Sequence, residues 1–463
     1  MKTPKAPTPP AQRKAPQTLL RNVIELCADC DTCRLIMDQD CAFFPELYRL
    51  WDLEMETGVA ISDDQQRALL DLCTLCGLCP CPKIPMEMME AKSRYIAAEG
   101  LPIATRLITD VPRLARLCGI LPQITAGLQE NRVTGTLLRK AVDMHPDRHF
   151  PTFPKENFFQ WANTKGLSRP SGKERHISYF AGCTAGYLFP QIGQALVKIM
   201  EHNNIGVRVP PQDCCGMPYL VEGDKDAVLQ RTQENMKTLL KEVEVGDDLI
   251  TTCPTCGFFM KKLLPEGAYF SAAYQTSVNA AADELKVPEP GRGVRQHKLL
   301  KKMMYGKILK DDGYFSSLDP LGRIAVAEHF YDAGEYLQRL HDEGHLNTEF
   351  AEIPERMVYF APCHQREQNI GRPYLDLLAL IPELKIEQLG ETECCGMGGN
   401  FGFKAGFHEQ SLTIGKALAE KIRKQDPEGI ITDCMSCRLQ FNHLLPYPVY
   451  HPLELLARAS SPL

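Results

Sequence analysis

Eighteen of the 19 cysteines in this chain fall into clusters whose spacing suits metal ligation, and the clusters are of two kinds. The first kind is Cys27-x2-Cys30-x2-Cys33, with Cys41 beyond it, and Cys73-x2-Cys76-x2-Cys79-x-Cys81. Three thiolates on one loop can grip three corners of a [4Fe–4S] cube, and in two-cluster ferredoxins the fourth cysteine of each run reaches across to the other cluster. Met37 and Lys83 stand where the fourth cysteines are ordinarily found, so Cys41 and Cys81 are the replacements. The expected arrangement is crossed: Cys27, Cys30, Cys33 and Cys81 on one cubane, and Cys73, Cys76, Cys79 and Cys41 on the other. A pair of four-cysteine zinc sites is the alternative, although zinc prefers separated Cys-x2-Cys pairs.

The second kind is a duplication. Cys183, the vicinal pair Cys214–Cys215, and Cys253-x2-Cys256 recur as Cys363, Cys394–Cys395 and Cys434-x2-Cys437, with matching positions 180 or 181 residues apart. The flanks repeat too: Tyr179-Phe180-Ala181 returns as Tyr359-Phe360-Ala361. Neighbouring side chains diverge, so a vicinal pair suits a cluster of several irons better than one tetrahedral zinc. Five soft ligands per copy also exceed what one zinc takes. Cys118 stands alone among apolar residues and reads as a buried, inert thiol.

These cysteines need elements to position them. Apolar periodicity predicts helices over 17–26, 45–56, 62–72 and 85–98; Ser62 and Gln65 form a candidate capping box, and Gly100 before Pro102 is a stop. Residues 102–145 read as helical throughout, and 145–161 as an irregular linker. In each copy strands alternate with helices: strands at 176–182, 205–209 and 248–252, then 356–361, 384–388 and 429–432, with helices at 190–202, 225–243, 372–381 and 408–424. That alternation implies a parallel sheet per copy, with the cysteines just past strand carboxyl ends and at helix amino-termini. The expected segments are a flexible arm (1–16), a helical two-cluster domain (17–101), a connector (102–170), the first repeat (171–285), a basic insertion (286–325) and the second repeat (326–463). The basic stretch, Arg292, Arg295, Lys298, Lys301, Lys302, Lys307 and Lys310, reads first as a solvated charged helix and second as a docking or membrane-surface patch.

Composition narrows the partners. A net charge of −6 offers no basic field for nucleic acid, and no apolar run approaches the length of a transmembrane helix. The first 16 residues lack an apolar signal core, so the expected location is cytoplasmic, where cysteines stay reduced. No Gly-x-Gly-x-x-Gly follows a strand, which argues against a dinucleotide site.

The duplicated Cys…Cys-Cys-Gly…Cys-x-x-Cys unit resembles the cysteine-rich (CCG) domain of heterodisulfide reductase. A two-cluster ferredoxin domain ahead of two such units resembles its D-type subunit, the C-type subunit of anaerobic glycerol-3-phosphate dehydrogenase, and iron–sulfur subunits of lactate-type dehydrogenases. His145-Pro146-Asp147-Arg148, the stretch Asp332–Leu340, Pro362-Cys363-His364 and the closing His451-Pro452-Leu453-Glu454-Leu455-Leu456 fit the latter group. The resemblance implies a noncubane [4Fe–4S] cluster in each unit, held by Cys183, Cys214, Cys215, Cys253 and Cys256 and by Cys363, Cys394, Cys395, Cys434 and Cys437. It implies an α-helical two-cluster ferredoxin domain followed by a duplicated α/β CCG domain with parallel sheets.

The function so implied is an electron-transfer subunit of an anaerobic, membrane-associated oxidoreductase. Its partners would be a flavoprotein dehydrogenase subunit and a membrane cytochrome or quinone-reactive subunit, which would hold it peripherally at the inner face of the membrane. Two alternatives stand beside it. One is a disulfide reductase of the heterodisulfide type, cleaving its substrate at a noncubane cluster, with His364 as candidate proton donor. The other is a zinc-stabilised interaction scaffold. His443 is a second histidine flanking cluster cysteines. Phe180, Met217, Tyr219, Phe258, Phe259, Met397, Phe401 and Phe403 are bulky, which predicts sealed sites, and the two repeats are expected to face each other across a pseudo-twofold.

Overall fold

The computed structural model describes residues 15–81, 83–119, 131–149, 151, 153–169, 172–289, 296–390 and 393–460, apart from the side chains of 117–119 and 132. The expectation for Cys118 therefore lies outside what is described, as do residues 1–14 of the expected flexible arm and Arg292 and Arg295; Pro16, assigned to the arm, instead opens the first helix.

The amino-terminal part is helical: Pro16–Cys30, Thr32–Ile36, Phe43–Thr57, Asp63–Asp71 and Lys83–Glu99. The first helix runs past its expected end and carries Cys27 and Cys30 in its last turns. Ser62 and Gln65 form the capping box, each side chain meeting the other's backbone N–H, which satisfies two donors that the helix start leaves open. The stretch read as continuous helix is broken. Helices Ile103–Thr109 and Val111–Gly119 are separated at Asp110, and Arg132–Ala141 ends before Asp143 turns with φ 55°.

The repeats fold as two four-stranded parallel sheets. In the first, β1 (His176–Phe180), β2 (Gly206–Arg208) and β3 (Asp248–Thr251) come from the predicted strands. A hairpin of β4 (Glu284–Pro288) and β5 (His297–Lys301) follows, and then β6 (Phe330–Asp332) returns to close the order β2-β1-β3-β6. The second sheet contains β7 (Arg356–Phe360), β8 (Lys385–Leu389), β9 (Gly429–Ile431) and β10 (Val449–Tyr450), in the order β8-β7-β9-β10. Equivalent pairs keep one register: Ile177 lies opposite Asp248, and Met357 opposite Gly429.

The fourth strands escaped the sequence reading because they are two or three residues long. Each feeds a capping box: Asp332 with Glu335, and His451 with Glu454. Thus Tyr331-Asp332 and Tyr450-His451 occupy equivalent places, and β6, from the stretch assigned to the second repeat, completes the first sheet.

Alternation along β1 sets the packing. Ile177 and Tyr179 lie in a core shared with Met357, Val358 and Tyr359 of the second repeat, whereas Phe180 lies in the core shared with the amino-terminal helices. Helix Lys83–Glu99 docks on Met217–Glu222 so closely that a Cβ on Gly223 would sit 2.6 Å from the Lys92 carbonyl oxygen. Gly223 also needs φ 86°, so this contact demands glycine twice over. Among the described residues, no helix is long and apolar enough to cross a membrane.

Candidate functional site

Two cavities are lined by amino-terminal cysteines, each by members of both runs. Cys81 lines a cavity of about 300 Å³ with Cys27, Cys30, Cys33 and Cys79. Cys41 lines one of about 40 Å³ with Cys73, Cys76 and Cys79. Burial, then the neighbouring Cys33 and Cys81, pushes the Cys27 thiol up to about 12. Burial, then Cys76, does the same to Cys41. Left-handed turns at Leu75 (φ 53°) and Gly77 (φ 84°) fold the Cys73–Cys79 loop inward. Cys30 and Cys81 are exposed, so the first group reaches the surface.

In the repeats every lone cysteine and every Cys-x2-Cys begins a helix, as strand-to-helix connections require. Cys183 is in the first turn of Gly182–Tyr187, Cys363 opens Cys363–Arg366, and Cys253 and Cys434 cap their helices. The free N–H groups there favour thiolate. The Gly396 N–H meets Cys394 Sγ at 3.3 Å, and the sulfurs of Cys183 and Cys214 lie 3.7 Å apart, those of Cys395 and Cys437 3.1 Å. Hydrogen bonds from Cys183 and Cys215 hold Cys214 well below the usual thiol range, and those from Cys394 and Cys437 do the same for Cys395. The partner thiols are driven upward: the hydrogen bond to Cys214 comes first for Cys183, the one to Cys395 first for Cys394. Buried thiols this close cannot all ionise unless positive charge sits among them, and a cationic iron–sulfur core is matched to such a donor set.

Two buried cations make the same fit. Arg148 is 1 % exposed, and its Nε and Nη1 have no hydrogen-bond partner, while Nη2 reaches Gln440 Oε1. The favourable charge acting on it is Cys395. Lys92, also buried, donates to the Val221 carbonyl at 2.9 Å, with Cys73 as its first favourable charge. Neither forms an ion pair with a carboxylate among the described residues. Buried charges are ordinarily compensated; Cys395 supplies the favourable charge for Arg148, and Cys73, then Glu222 and Asp71, for Lys92. The stretch read as a linker therefore contributes directly to the second site; an irregular segment gives no periodic signal of a single inward arginine.

The two repeat groups open onto one cavity of about 130 Å³, bounded by Cys183, Cys215, Cys253 and Cys256 on one side and Cys363, Cys394, Cys395, Cys434 and Cys437 on the other. The bulky flanking residues are buried, from Phe180 and Phe259 at 0 % to Phe403 at 9 %. His364 lines this cavity but is braced on three sides. Its ring stacks on Phe258 at 4.8 Å, Nδ1 meets Thr255 Oγ1 at 2.9 Å, and Nε2 meets the Leu75 carbonyl at 3.3 Å. Burial lowers its pKa to about 4, so it is neutral and ties the amino-terminal loop to both repeats. His443 is likewise lowered to about 4 by burial and then Arg148. The sequence reading also missed a buried acid pair. Asp332 is raised to about 7 by burial, and Asp433, with neither oxygen hydrogen-bonded, is raised by burial and then by Asp332. Polar residues at strand ends carry no sequence mark of such burial.

The family model of the CCG cysteine-rich domain matches the chain twice, over residues 177–261 and 357–442. One subunit of the anaerobic glycerol-3-phosphate dehydrogenase of Escherichia coli, its C-type subunit, is 26 % identical over 326 residues, which is 70 % of this chain and 68 % of that protein. The B-type subunit of a fumarate reductase (CoM/CoB) of Methanothermobacter marburgensis is 27 % identical over 294 residues, 62 % of this chain and 46 % of its own length. An uncharacterized iron–sulfur protein of Methanocaldococcus jannaschii is 22 % identical over 58 % of this chain and 41 % of itself. Residues 177–261 and 357–442 are therefore a pair of CCG cysteine-rich domains, in a chain similar to subunits of an anaerobic dehydrogenase and of a reductase.

Proposed function

We propose that this chain is an iron–sulfur electron-transfer subunit, passing electrons between a flavoprotein dehydrogenase and a quinone-linked membrane partner. The observation that carries this reading is a series of cysteine groups with shared walls. Cys79 lines both amino-terminal cavities, and Cys76 and Cys394 line both the second of these and the cavity between the repeats. Electron tunnelling falls steeply with distance, so groups in wall-to-wall contact favour hopping. The outer end is exposed at Cys30 and Cys81, close in sequence to the exposed apolar Leu26, Leu35 and Ile36, as a redox docking edge needs.

In this reading Cys27, Cys30, Cys33 and Cys81, and Cys73, Cys76, Cys79 and Cys41, hold two cubane [4Fe–4S] clusters in a ferredoxin-type domain. The five cysteines of each repeat hold a noncubane [4Fe–4S] cluster. The clusters supply one-electron redox chemistry. The protein supplies burial, N–H donors at helix starts, and the two buried cations, which favour the more negative, reduced state.

A disulfide reductase is the second reading, because the cavity between the repeats has room beside both cysteine groups. Against it, His364 is neutral and both of its ring nitrogens are engaged, so it makes a poor proton donor. The test is chemical analysis of anaerobically purified protein. About sixteen irons with matching acid-labile sulfide are expected; stoichiometric zinc without sulfide sinks both redox readings. Electron flow from an artificial donor should survive His364→Ala. Heterodisulfide turnover by the isolated chain, lost on that substitution, would favour the enzyme.

A further inference from the structure

The segment that leaves the open end of the hairpin between the repeats carries exposed apolar side chains. β4 pairs antiparallel with β5, setting Leu285 opposite Leu300 and Val287 opposite Lys298. A single helical turn, Lys302–Tyr305, follows and buries no side chain. Leu299, Met303, Met304, Tyr305 and Ile308 are exposed at 54, 90, 64, 39 and 78 %, all within ten consecutive residues. Scattered exposed apolar residues are ordinary, but five within ten residues, from the end of β5 through the turn to Ile308, are a patch. The expected charged helix is thus a strand and a turn, because the segment around Leu299 and Leu300 pairs with β4 instead of forming a polar helical face.

The base of this element is fixed. Leu285 is buried, and Arg323, wholly buried, holds both carboxylate oxygens of Asp311 at 2.6 and 2.7 Å just after the turn. The exposed segment therefore runs between two fixed points, the Leu285–Leu300 pair and Asp311.

Its charge identifies the occupant. From residue 296 to 310 the chain has Lys298, Lys301, Lys302, Lys307 and Lys310 and no acidic residue, in a protein of net charge −6. Lys301 is engaged by Asp283 and Glu284, while Lys298, Lys302, Lys307 and Lys310 are exposed. Apolar side chains ringed by lysines complement an anionic bilayer surface: methionine, leucine and isoleucine enter the acyl boundary while the ammonium groups meet phosphates. A protein partner would call for hydrogen-bonding geometry and carboxylate-specific pairing, whereas flexible methionines and lysines suit a fluid surface.

We propose that residues 298–310 form a surface that binds anionic phospholipid directly, holding the protein at a membrane surface. This does not depend on which redox chemistry the cysteines perform. The test is co-flotation of the full chain, purified anaerobically, with vesicles of phosphatidylcholine containing phosphatidylglycerol and with phosphatidylcholine alone. Binding to the anionic vesicles, weakened by salt, is expected. Replacing Lys298, Lys302 and Lys307 together with Gln should weaken it roughly 100-fold. Met303→Ser with Ile308→Ser should weaken it about tenfold or more while leaving the salt dependence in place. Unchanged iron content and visible spectrum show that the variants are folded. No flotation of the wild type, equal flotation with both vesicle types, or indifference to both sets of substitutions overturns the proposal.

Discussion

His451 donates through Nε2 to the carbonyl oxygen of Thr252, 3.1 Å away and 199 residues earlier in the chain. Its Nδ1 accepts the Leu453 N–H at 3.1 Å, which fixes the proton on Nε2. One imidazole therefore caps the last helix and pins the residue before Cys253 in the other repeat. At the equivalent positions of the repeats, Asp332 interacts with Asp433, the residue before Cys434.

Substituting His451→Ala should cost about 2–4 kcal/mol, since it removes a cap, a buried hydrogen bond and packing against Tyr374. His451→Asn should recover the cap alone. Burial lowers the His451 pKa to about 3. Its contribution is complete above the unfolded value near 6.5 and is lost as pH falls toward 3, by about 1.4 kcal/mol per unit. Denaturant unfolding of the wild type and His451→Asn between pH 7 and 4 should show the gap closing with acid.

Asp332 has the opposite sign. Its carboxyl is raised to about 7, so it favours the fold at low pH and disfavours it as pH rises through 7. Asn can accept the Gly334 N–H now bound at 2.8 Å. Asp332→Asn should therefore be more stable than the wild type at pH 8 by on the order of a few kcal/mol, and equal to it near pH 4. A destabilised variant at pH 8 would contradict the buried-pair account.

Arg148 feels the charge of Cys395, and two of its guanidinium nitrogens have no hydrogen-bond partner. Replacement by Gln should lower the reduction potential of one centre by about 50–100 mV, as loss of a nearby cation does at the effective dielectric of a protein. Lys should restore part of it. Redox titration followed by paramagnetic resonance reads this out, and the remaining centres should hold their potentials. A uniform shift, or none, would leave Arg148 a packing residue.

The crossed arrangement of Cys41 and Cys81 is open to direct test. Cys41→Ser should perturb the same resonance signal as Cys76→Ser, and Cys81→Ser the same signal as Cys30→Ser, each with loss of up to about four irons. Pairing of Cys41 with Cys30 would refute the crossing.

The sequence by itself determined the cysteine groups, the duplication, the central strands and the long helices. Spacing and periodicity are local, and a repeated frame shows up in one dimension. It also carried the Ser62 capping box and the bulky lining of the sites. Only the tertiary structure decided which residues meet across the repeats. The strands Phe330–Asp332 and Val449–Tyr450 are too short to show alternation, and they exist because a sheet edge recruits them. Arg148, Lys92, Asp332 and Asp433 look like surface residues in a sequence, since burial of a charge depends on what packs around it from distant segments. His364 could be named as a candidate donor for the disulfide-reductase alternative because sequence shows its neighbour Cys363 but not Leu75 and Thr255, whose hydrogen bonds occupy both ring nitrogens.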